Sequence, residues 1–410
     1  MTSFPPATRA AALERLDSFL PKAGKHYAQN RNTDFGPNET QATSLLSPHV
    51  RHRLVTEEEI VAHVLKKFGP NGAEKFVQEV VWRTYWKGYL EMRPTLWEDY
   101  RYERTELWAR YESDADFRER LDEALEGRTG IVCFDAWVAE LKAHNWLHNH
   151  TRMWFASIWV FTLDLPWELG ADFFYHHLLD GDAASNTLSW RWVAGLHTAG
   201  KAYLATPSNI ERYTNGRFKP GNRQLADDTG RLEEFDKPPA QDLDLPLFAQ
   251  DKKPFALLIH NDDCAPDLLD VDWSHLTHTI TVPTENHRTA LPGHDHGAAT
   301  AVLTFEKEAL ADAAARIQEK ADKPVTALDS ADDLARFVKT EGIETIITPT
   351  IPQGTARDAL RPVLSGLQDG GVAIHPVTRP WDRTIWPHAT AGFFKVKKKL
   401  PKLLGQLGLR

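Results

Sequence analysis

Cysteine is nearly absent. Cys133 and Cys264, the two in 410 residues, lie far apart in the chain, which excludes a disulfide framework and a thiolate metal cluster. Long apolar runs are missing too: no stretch approaches the roughly 20 residues that span a bilayer. The opening MTSFPPATRAAALERL has no apolar signal core, so the expectation is an unprocessed, cytoplasmic chain. Positive charge is in deficit, with 48 Lys and Arg against 57 Asp and Glu and a formal net charge of −9. That balance argues against indiscriminate nucleic-acid binding, but not against a local basic groove. The chain carries no internal repeat and no low-complexity tract.

Tryptophan is in excess. Eleven of the 14 fall between Trp82 and Trp192, so one part of the chain is far richer in indole than the rest. Residues from about 6 to 230 read as mostly helical, with few strand signals. TEEEIVAHVLKKFG has Thr56 as N-cap, acids in its first turn and Gly69 at its end. AEKFVQEVVWRTYWKGYLEM and CFDAWVAELKAHNW are further helices, and TRMWFASIWVFTLDL is apolar almost all round and therefore buried. DKPPAQDLDLPLFAQDKKP reads as a linker. After it strands and helices alternate. FALLIHNDD, HTITVPTE and GAATAVLTFE are strand-like; then come helix KEALADAAARIQEKA, strand PVTALD, helix SADDLARFVKTEG with Ser330 as N-cap, strand ETIITPT, helix GTARDALRPVLSGLQDGG and strand VAIHPV. This alternation predicts a parallel α/β sheet. The tail FFKVKKKLPKLLGQLGLR is basic and partly helical.

Three segments place polar groups where a bland core would not. In QATSLLSPHVRHRL, Ser47-Pro48 predicts a helix start with serine as N-cap, and Thr43 and Ser44 just before it make an anion site conceivable, the alternative being a well-capped helix. In EVVWRTYW, Glu79 and Arg83 have the i,i+4 spacing of a surface pair beside Trp82 and Trp86. In HNWLHNHTRMWFAS, the spacing predicts Trp146, Asn149 and Arg152 or Met153 along one helical stripe, a set suited to a planar heteroaromatic partner. His144 and His148 are four apart, yet no HExxH pattern accompanies them, so no metal is expected.

The run TGIVCFDAWVAELKAHNWLHNHTRMWFASIWVFTLDLPWELGADFFYHHLLDGDAASNTLSWRW closely resembles the flavin-binding core of the DNA photolyase/cryptochrome family, whose pattern is approximately TGxPxxDAxMRxLxxTGWMHNRxRM followed by DGDxAxNxxxWQW. The likeness runs through most of residues 1–215. It implies a folded FAD: Tyr27 and the Thr43, Ser44, Leu46, Ser47 run at its phosphates, Arg83 and Trp146 in contact with it, Arg152 paired with Asp180 over the ring system, Asp182 at the ring or ribityl edge, and Asn186 facing flavin N5. It also implies an electron-hopping path through Trp190 and Trp167, with Trp108 or Tyr111 as the outer member. Glu79, Trp82, Asn149, Met153 and Trp192 fall on the positions of the family's pocket for a cyclobutane pyrimidine dimer. His150 stands where the pattern usually has arginine. The ending GKAYLATPSNIERYTNGRF is more like that of iron–sulfur relatives, which need four cysteines, so no cluster is expected.

The domain order is inverted. In the family an α/β antenna domain comes first, whereas here the resemblance to it begins at FALLIHNDD and closes at WPHATAGFFKVKKKLPKLL. The expected architecture is a mostly α-helical FAD-binding domain over 1–235, a linker over 236–252 and a Rossmann-like α/β domain over 253–405, a circular permutation. RTALPGHDHGAAT is either a solvated loop or part of a pocket for a second, antenna chromophore. The implied activity is blue-light-driven repair of pyrimidine dimers in single- or double-stranded DNA by electron transfer from reduced FAD, in a monomer. The alternatives are a cryptochrome-like photoreceptor that binds FAD without repair, and a non-photochemical nucleotide-binding protein on the same scaffold.

Overall fold

The computed structural model describes residues 4–37, 39, 42–198, 200–221, 223–230, 237–245 and 247–409. Among them twelve α-helices precede the first strand: α1 (Arg9–Phe19), α2 (Lys25–Asn30), α3 (Ser47–Arg51), α4 (Glu57–Gly72), α5 (Glu74–Glu91), α6 (Thr95–Ser113), α7 (Ala115–Glu126), α8 (Val132–His144), α9 (Asn149–Ser157), α10 (Trp167–His177), α11 (Ala183–Val193) and α12 (Pro207–Tyr213). Thr56 starts α4 through a reciprocal cap. Its hydroxyl accepts from the Glu59 N–H at 3.2 Å, and the Glu59 carboxylate accepts from the Thr56 N–H at 3.0 Å. Within the indole-rich segment α11 packs against both α5 and α9, and Trp137, Trp154 and Trp159 are fully buried. α9 gives way after Ser157 to a π-helical turn, Ile158–Thr162. No described helix is long and apolar enough to cross a membrane.

Residues 237–245 and 247–254 hold no helix or strand; Asp236 and Pro246 of the expected linker lie outside the described residues. Five parallel strands follow: β1 (Phe255–His260), β2 (Leu276–Val282), β3 (Val325–Ala327), β4 (Thr345–Pro349) and β5 (Ala373–Val377), in the order β3-β2-β1-β4-β5. α13 (Thr300–Ala321), α14 (Asp332–Thr340) and α15 (Thr355–Asp369) connect them, and α16 (Pro380–Ile385) and α17 (Phe393–Gln406) close the chain. The strand-like reading of GAATAVLTFE is corrected: Thr300 onward is the start of α13, whose Val302, Phe305 and Ala309 bury one face at helical spacing. Ser330 is not the cap of α14; its hydroxyl donates to the Asp333 carboxylate at 2.9 Å.

Strand periodicity splits the core. Phe255, Leu257 and Ile259 of β1 join the core that runs through the helical domain, while Ala256 and Leu258 face α14 and α15. Between β1 and β4 the strand order reverses, and the carboxyl ends of these strands form the crevice where open α/β sheets usually bind ligands. Here Arg51, His52 and Arg53 of the helical domain fill it. Arg51 donates to the Gly181 carbonyl at 2.7 Å, to Glu285 at 2.9 Å and to Asp262. His52 meets the Asn261 carbonyl at 2.7 Å, and Arg53 pairs with Asp382 at 2.7 Å and with Asp263 and Glu57 at 3.3 Å. Arg379 completes the network on Asp263 at 2.6 Å. α5 also approaches the C-terminal segments closely: the Trp381 indole N–H donates to Thr84 Oγ1 at 2.8 Å.

Candidate functional site

The turn Asp180-Gly181-Asp182 gathers the residues expected to meet the cofactor. Asp182 has extended backbone and caps α11, its carboxylate accepting from the Ser185 N–H at 2.7 Å. Lys87 Nζ stands 3.6 Å and Arg83 Nη1 4.0 Å from the same carboxylate. Burial raises the pKa of Asp182, but Lys87, Arg83 and Arg51 outweigh it and hold the group far below the ordinary carboxylate range. The expected pair forms: Arg152 Nη2 donates to Asp180 Oδ2 at 3.0 Å, and its Nε donates to the Leu147 carbonyl at 2.9 Å. Against the opposing effect of burial, Arg152 and Arg83 keep the Asp180 carboxyl below its ordinary value.

Other expected contacts fall into place unevenly. The Trp146 indole N–H donates to Ser47 Oγ at 3.3 Å. Thr43 and Ser44 offer their carbonyls to Arg15, at 3.3 and 2.6 Å, and Leu46 is buried. Thr43, Trp146 and His148 line a small cleft with Asp34 and Gly36. Tyr27 sits edge-on against Phe76, centroids 4.9 Å apart, and burial pushes its phenol pKa well up. The Asn186 amide donates to the Ala171 carbonyl at 2.8 Å. Two readings change. Ser47 is the first residue of α3 rather than its cap, and at five residues α3 is too short for a strong dipole. Trp146 precedes α9, which begins at Asn149, so the two do not share a helical stripe.

The residues expected to meet the substrate lie on α5, α9 and α11, with α11 packed against both others. Glu79 does not pair with Arg83. Its carboxylate accepts from Arg31 Nε at 3.3 Å, while Arg83 turns toward Asp182. Glu79 keeps 38% of its side chain in solvent, yet the protein around it raises its carboxyl pKa. Trp82 and Trp192 are half-buried, unlike the indoles of the core. Phe393 stacks on Trp82 with centroids 3.8 Å apart and planes at 16°, taking one face of the indole. Trp192 stacks on Tyr203 at 5.7 Å and 27°. Met153 is half-buried and Asn149 exposed. His150 is locked in place: its Nδ1 meets the Asn32 carbonyl at 2.8 Å and its ring stacks on Trp154 at 4.3 Å. Burial lowers its pKa.

Aromatic rings lead outward. Trp190 meets Phe174 edge-on at 5.1 Å and Trp159 at 6.2 Å. Trp167 lies 5.7 Å from Tyr100. Asp172 then links Tyr100, at 3.4 Å, to the Trp108 indole N–H, at 2.8 Å, and Trp108 contacts Tyr111 edge-on at 5.5 Å. His148 caps α9, accepting from the His150 N–H at 3.2 Å, and burial pushes its pKa down to about 4. Among the described residues no group of three His, Cys, Asp or Glu is placed to hold a metal ion.

Three participants were not identified from the sequence. Lys87 is one turn beyond Arg83, a signal that extending the Glu79–Arg83 stripe by four would have found. Arg31 and Asp34 carry no local signal. Asp34 accepts from Thr151 and Arg217, both at 2.7 Å, from over a hundred residues away.

A family model described as the FAD binding domain of DNA photolyase matches residues 76–216. The deoxyribodipyrimidine photo-lyase of Streptomyces griseus is 39% identical over 157 residues, 38% of this chain and 33% of that protein. The one from Thermus thermophilus is 33% identical over 194 residues, 47% of this chain and 44% of that protein. A solved class III photolyase from Agrobacterium tumefaciens is 27% identical, covering 51% of this chain and 43% of its own, with a TM-score of 0.41. The chain thus spans less than half the length of the relatives it matches.

FAD is the cofactor of this domain type, and the residues present fit it. Thr43 Oγ1, Asp180 Oδ1 and Ser185 Oγ are buried polar atoms without a hydrogen-bond partner in the protein. Each such atom costs about 1–3 kcal/mol when left unpaired. They lie on, or next to, the residues assigned to the flavin, so a bound polar group is the economical account of them.

Proposed function

We propose that this chain, whose helical domain belongs to the DNA photolyase/cryptochrome family, is a light-driven flavoenzyme that splits cyclobutane pyrimidine dimers in DNA. One observation carries the reading. The five residues matching the dimer pocket sit on α5, α9 and α11, with α11 packed against both others, and all five stay half-buried or exposed while Trp86, Trp154 and Trp190 of the same helices are buried. FAD, when bound, supplies the electron-transfer chemistry. Arg83, Arg152, Asp180 and Asp182 would hold it, and Arg152 and Asp180 fix each other's orientation. Trp82 and Trp192 offer apolar walls to a flipped lesion, and Glu79 and Asn149 offer polar groups to its edges. Flipping costs a few kcal/mol, least at a damaged base, so part of the selectivity comes from the DNA.

The test is loss of dimers from single- and double-stranded oligonucleotides under blue light, with reduced, FAD-loaded protein and a dark control. Glu79→Ala and Trp82→Ala should each lower repair with FAD still bound. Intact dimers in both substrates would favour the second reading, a photoreceptor without repair, to which Phe393 on one face of Trp82 also lends support. The α/β region is read as the family's antenna domain in permuted position, supported by the order of its strands and helices after the linker. Moving residues 253–410 ahead of residue 1 through a flexible joint should then leave a chain that folds and binds FAD. Permutation is tolerated where the new ends are exposed.

A further inference from the structure

Charge on this chain is segregated. α17, FFKVKKKLPKLLGQ, holds five lysines and no acid in a protein of formal net charge −9. Phe393, Val396, Leu400, Leu403 and Leu404 are buried against the protein, and the opposite face exposes Phe394, Lys395, Lys398, Lys399 and Lys402. Phe394 is 71% exposed. Lys397 pairs with Glu74 of α5 at 3.3 Å, and Lys399 lies 3.3 Å from the His388 ring. Among the described residues, Lys395, Lys398 and Lys402 have no carboxylate within 4.0 Å. The cationic strip continues beyond the helix: burial, Arg93 and Lys395 together push the Lys237 ammonium pKa down.

Placement gives this strip a meaning. Phe393 stacks on Trp82 and Lys397 reaches Glu74, so α17 runs along α5 beside the edge that carries Glu79. We propose that the exposed face of α17 binds the phosphodiester backbone of DNA flanking the lesion, its lysines neutralising phosphates and Phe394 packing on a sugar or base. The proposal rests on reading Trp82 and Glu79 as the substrate rim. It also accounts for how an acidic protein that lacks an arginine at position 150 would hold a polyanion. A lipid surface fits less well, because interfacial helices bury an apolar face in the membrane and here that face is already spent on the protein core.

The experiment compares full-length, FAD-loaded protein with a variant carrying Lys395→Ala, Lys398→Ala, Lys399→Ala and Lys402→Ala, and with the corresponding Lys→Arg variant. Affinity for dimer-containing and undamaged oligonucleotides is measured across a salt series. Loss of four phosphate contacts should flatten the log–log salt slope by about 3 to 4. Both DNAs should weaken alike, because phosphate contacts position while base contacts specify. The arginine variant should keep the slope, and all three proteins should hold the same amount of FAD. An alanine variant with unchanged slope, in a protein that repairs dimers, overturns this inference and leaves the assigned function standing. If wild type binds phosphatidylserine vesicles through these lysines but not DNA, α17 is a lipid-binding element and the inference also fails. A lysine-dependent slope in a protein that leaves dimers intact upholds the DNA strip while the repair reading fails.

Discussion

Removing the Arg152 side chain isolates the Asp180 carboxylate. Asp180 exposes 4% of its side chain and Arg152 23%, and the two bond at 3.0 Å. Breaking a buried pair by deleting one partner costs about 3–5 kcal/mol. Two features reduce that figure for Arg152→Ala: water reaches the partly exposed position, and Arg83 still acts on Asp180. The expected loss is about 2–3 kcal/mol, together with weaker FAD retention. Denaturant unfolding at fixed free FAD, with the flavin-to-protein ratio read in parallel, measures both. The sign follows from linkage. The folded Asp180 pKa lies below its ordinary value, so the pair stabilises above the unfolded carboxylate pKa of about 3.9 and loses its effect as pH falls through the folded value. The gap between wild type and variant should therefore be widest near neutrality and narrow below about pH 4. Asp180→Asn in the same chain should recover most of the loss, since no charge is then stranded. A loss under about 0.5 kcal/mol, a gap independent of pH, or no recovery in the double variant would refute the reasoning.

Gly170→Ala would place a Cβ 2.3 Å from Trp190 Cη2 and 3.0 Å from Trp159 Cε2; overpacking of this kind costs about 1–3 kcal/mol. It should also slow photoreduction of the flavin, followed by the change in its absorbance under blue light. Arg53→Ala strands Asp382 and Glu57 in the interior, while Asp263 keeps Arg379, and should cost about 3–5 kcal/mol, seen as a lower denaturant midpoint. His150→Arg should destabilise the fold and fail to strengthen DNA binding, measured by thermal unfolding and oligonucleotide titration, because the ring is fixed by Asn32 and Trp154 rather than held on an open rim.

Much of the architecture was legible because it is written locally. The Thr56 cap, the helical periods of α5 and α8, and the five strand runs each depend on neighbours within a few residues. The start of α13 was misread because Ala, Val, Leu and Phe in GAATAVLTFE satisfy a short strand as well as a buried helix face, and only the length of the continuous run decides between them. Within the site, the Arg152–Asp180 pair followed from a family pattern, not from spacing; the two are 28 residues apart. The Glu79–Arg83 pair shows the limit of spacing arguments. Correct i,i+4 geometry is worth only a few tenths of a kcal/mol, and here Arg83 turns instead toward the buried Asp182 carboxylate that caps α11.

The contacts that join the two domains had no local signature. Arg53 and Asp382 are 329 residues apart, and Arg51 and Asp262 are 211 apart. Their chemistry nevertheless bears on function. A sheet that held a ligand at its switch point would need that crevice open, but Arg51, His52 and Arg53 occupy it and are matched there by Asp262, Asp263, Glu285 and the Asn261 carbonyl. Arg51 reaches through it to the Gly181 carbonyl, between the two aspartates assigned to the flavin. The α/β domain is thus tied by hydrogen bonds to the turn that positions Asp180 and Asp182. Opening the crevice for a second chromophore would strand several charges at about 3–5 kcal/mol for each broken pair and free that turn. The packing therefore favours a domain that braces the cofactor site over one that harvests light in this crevice.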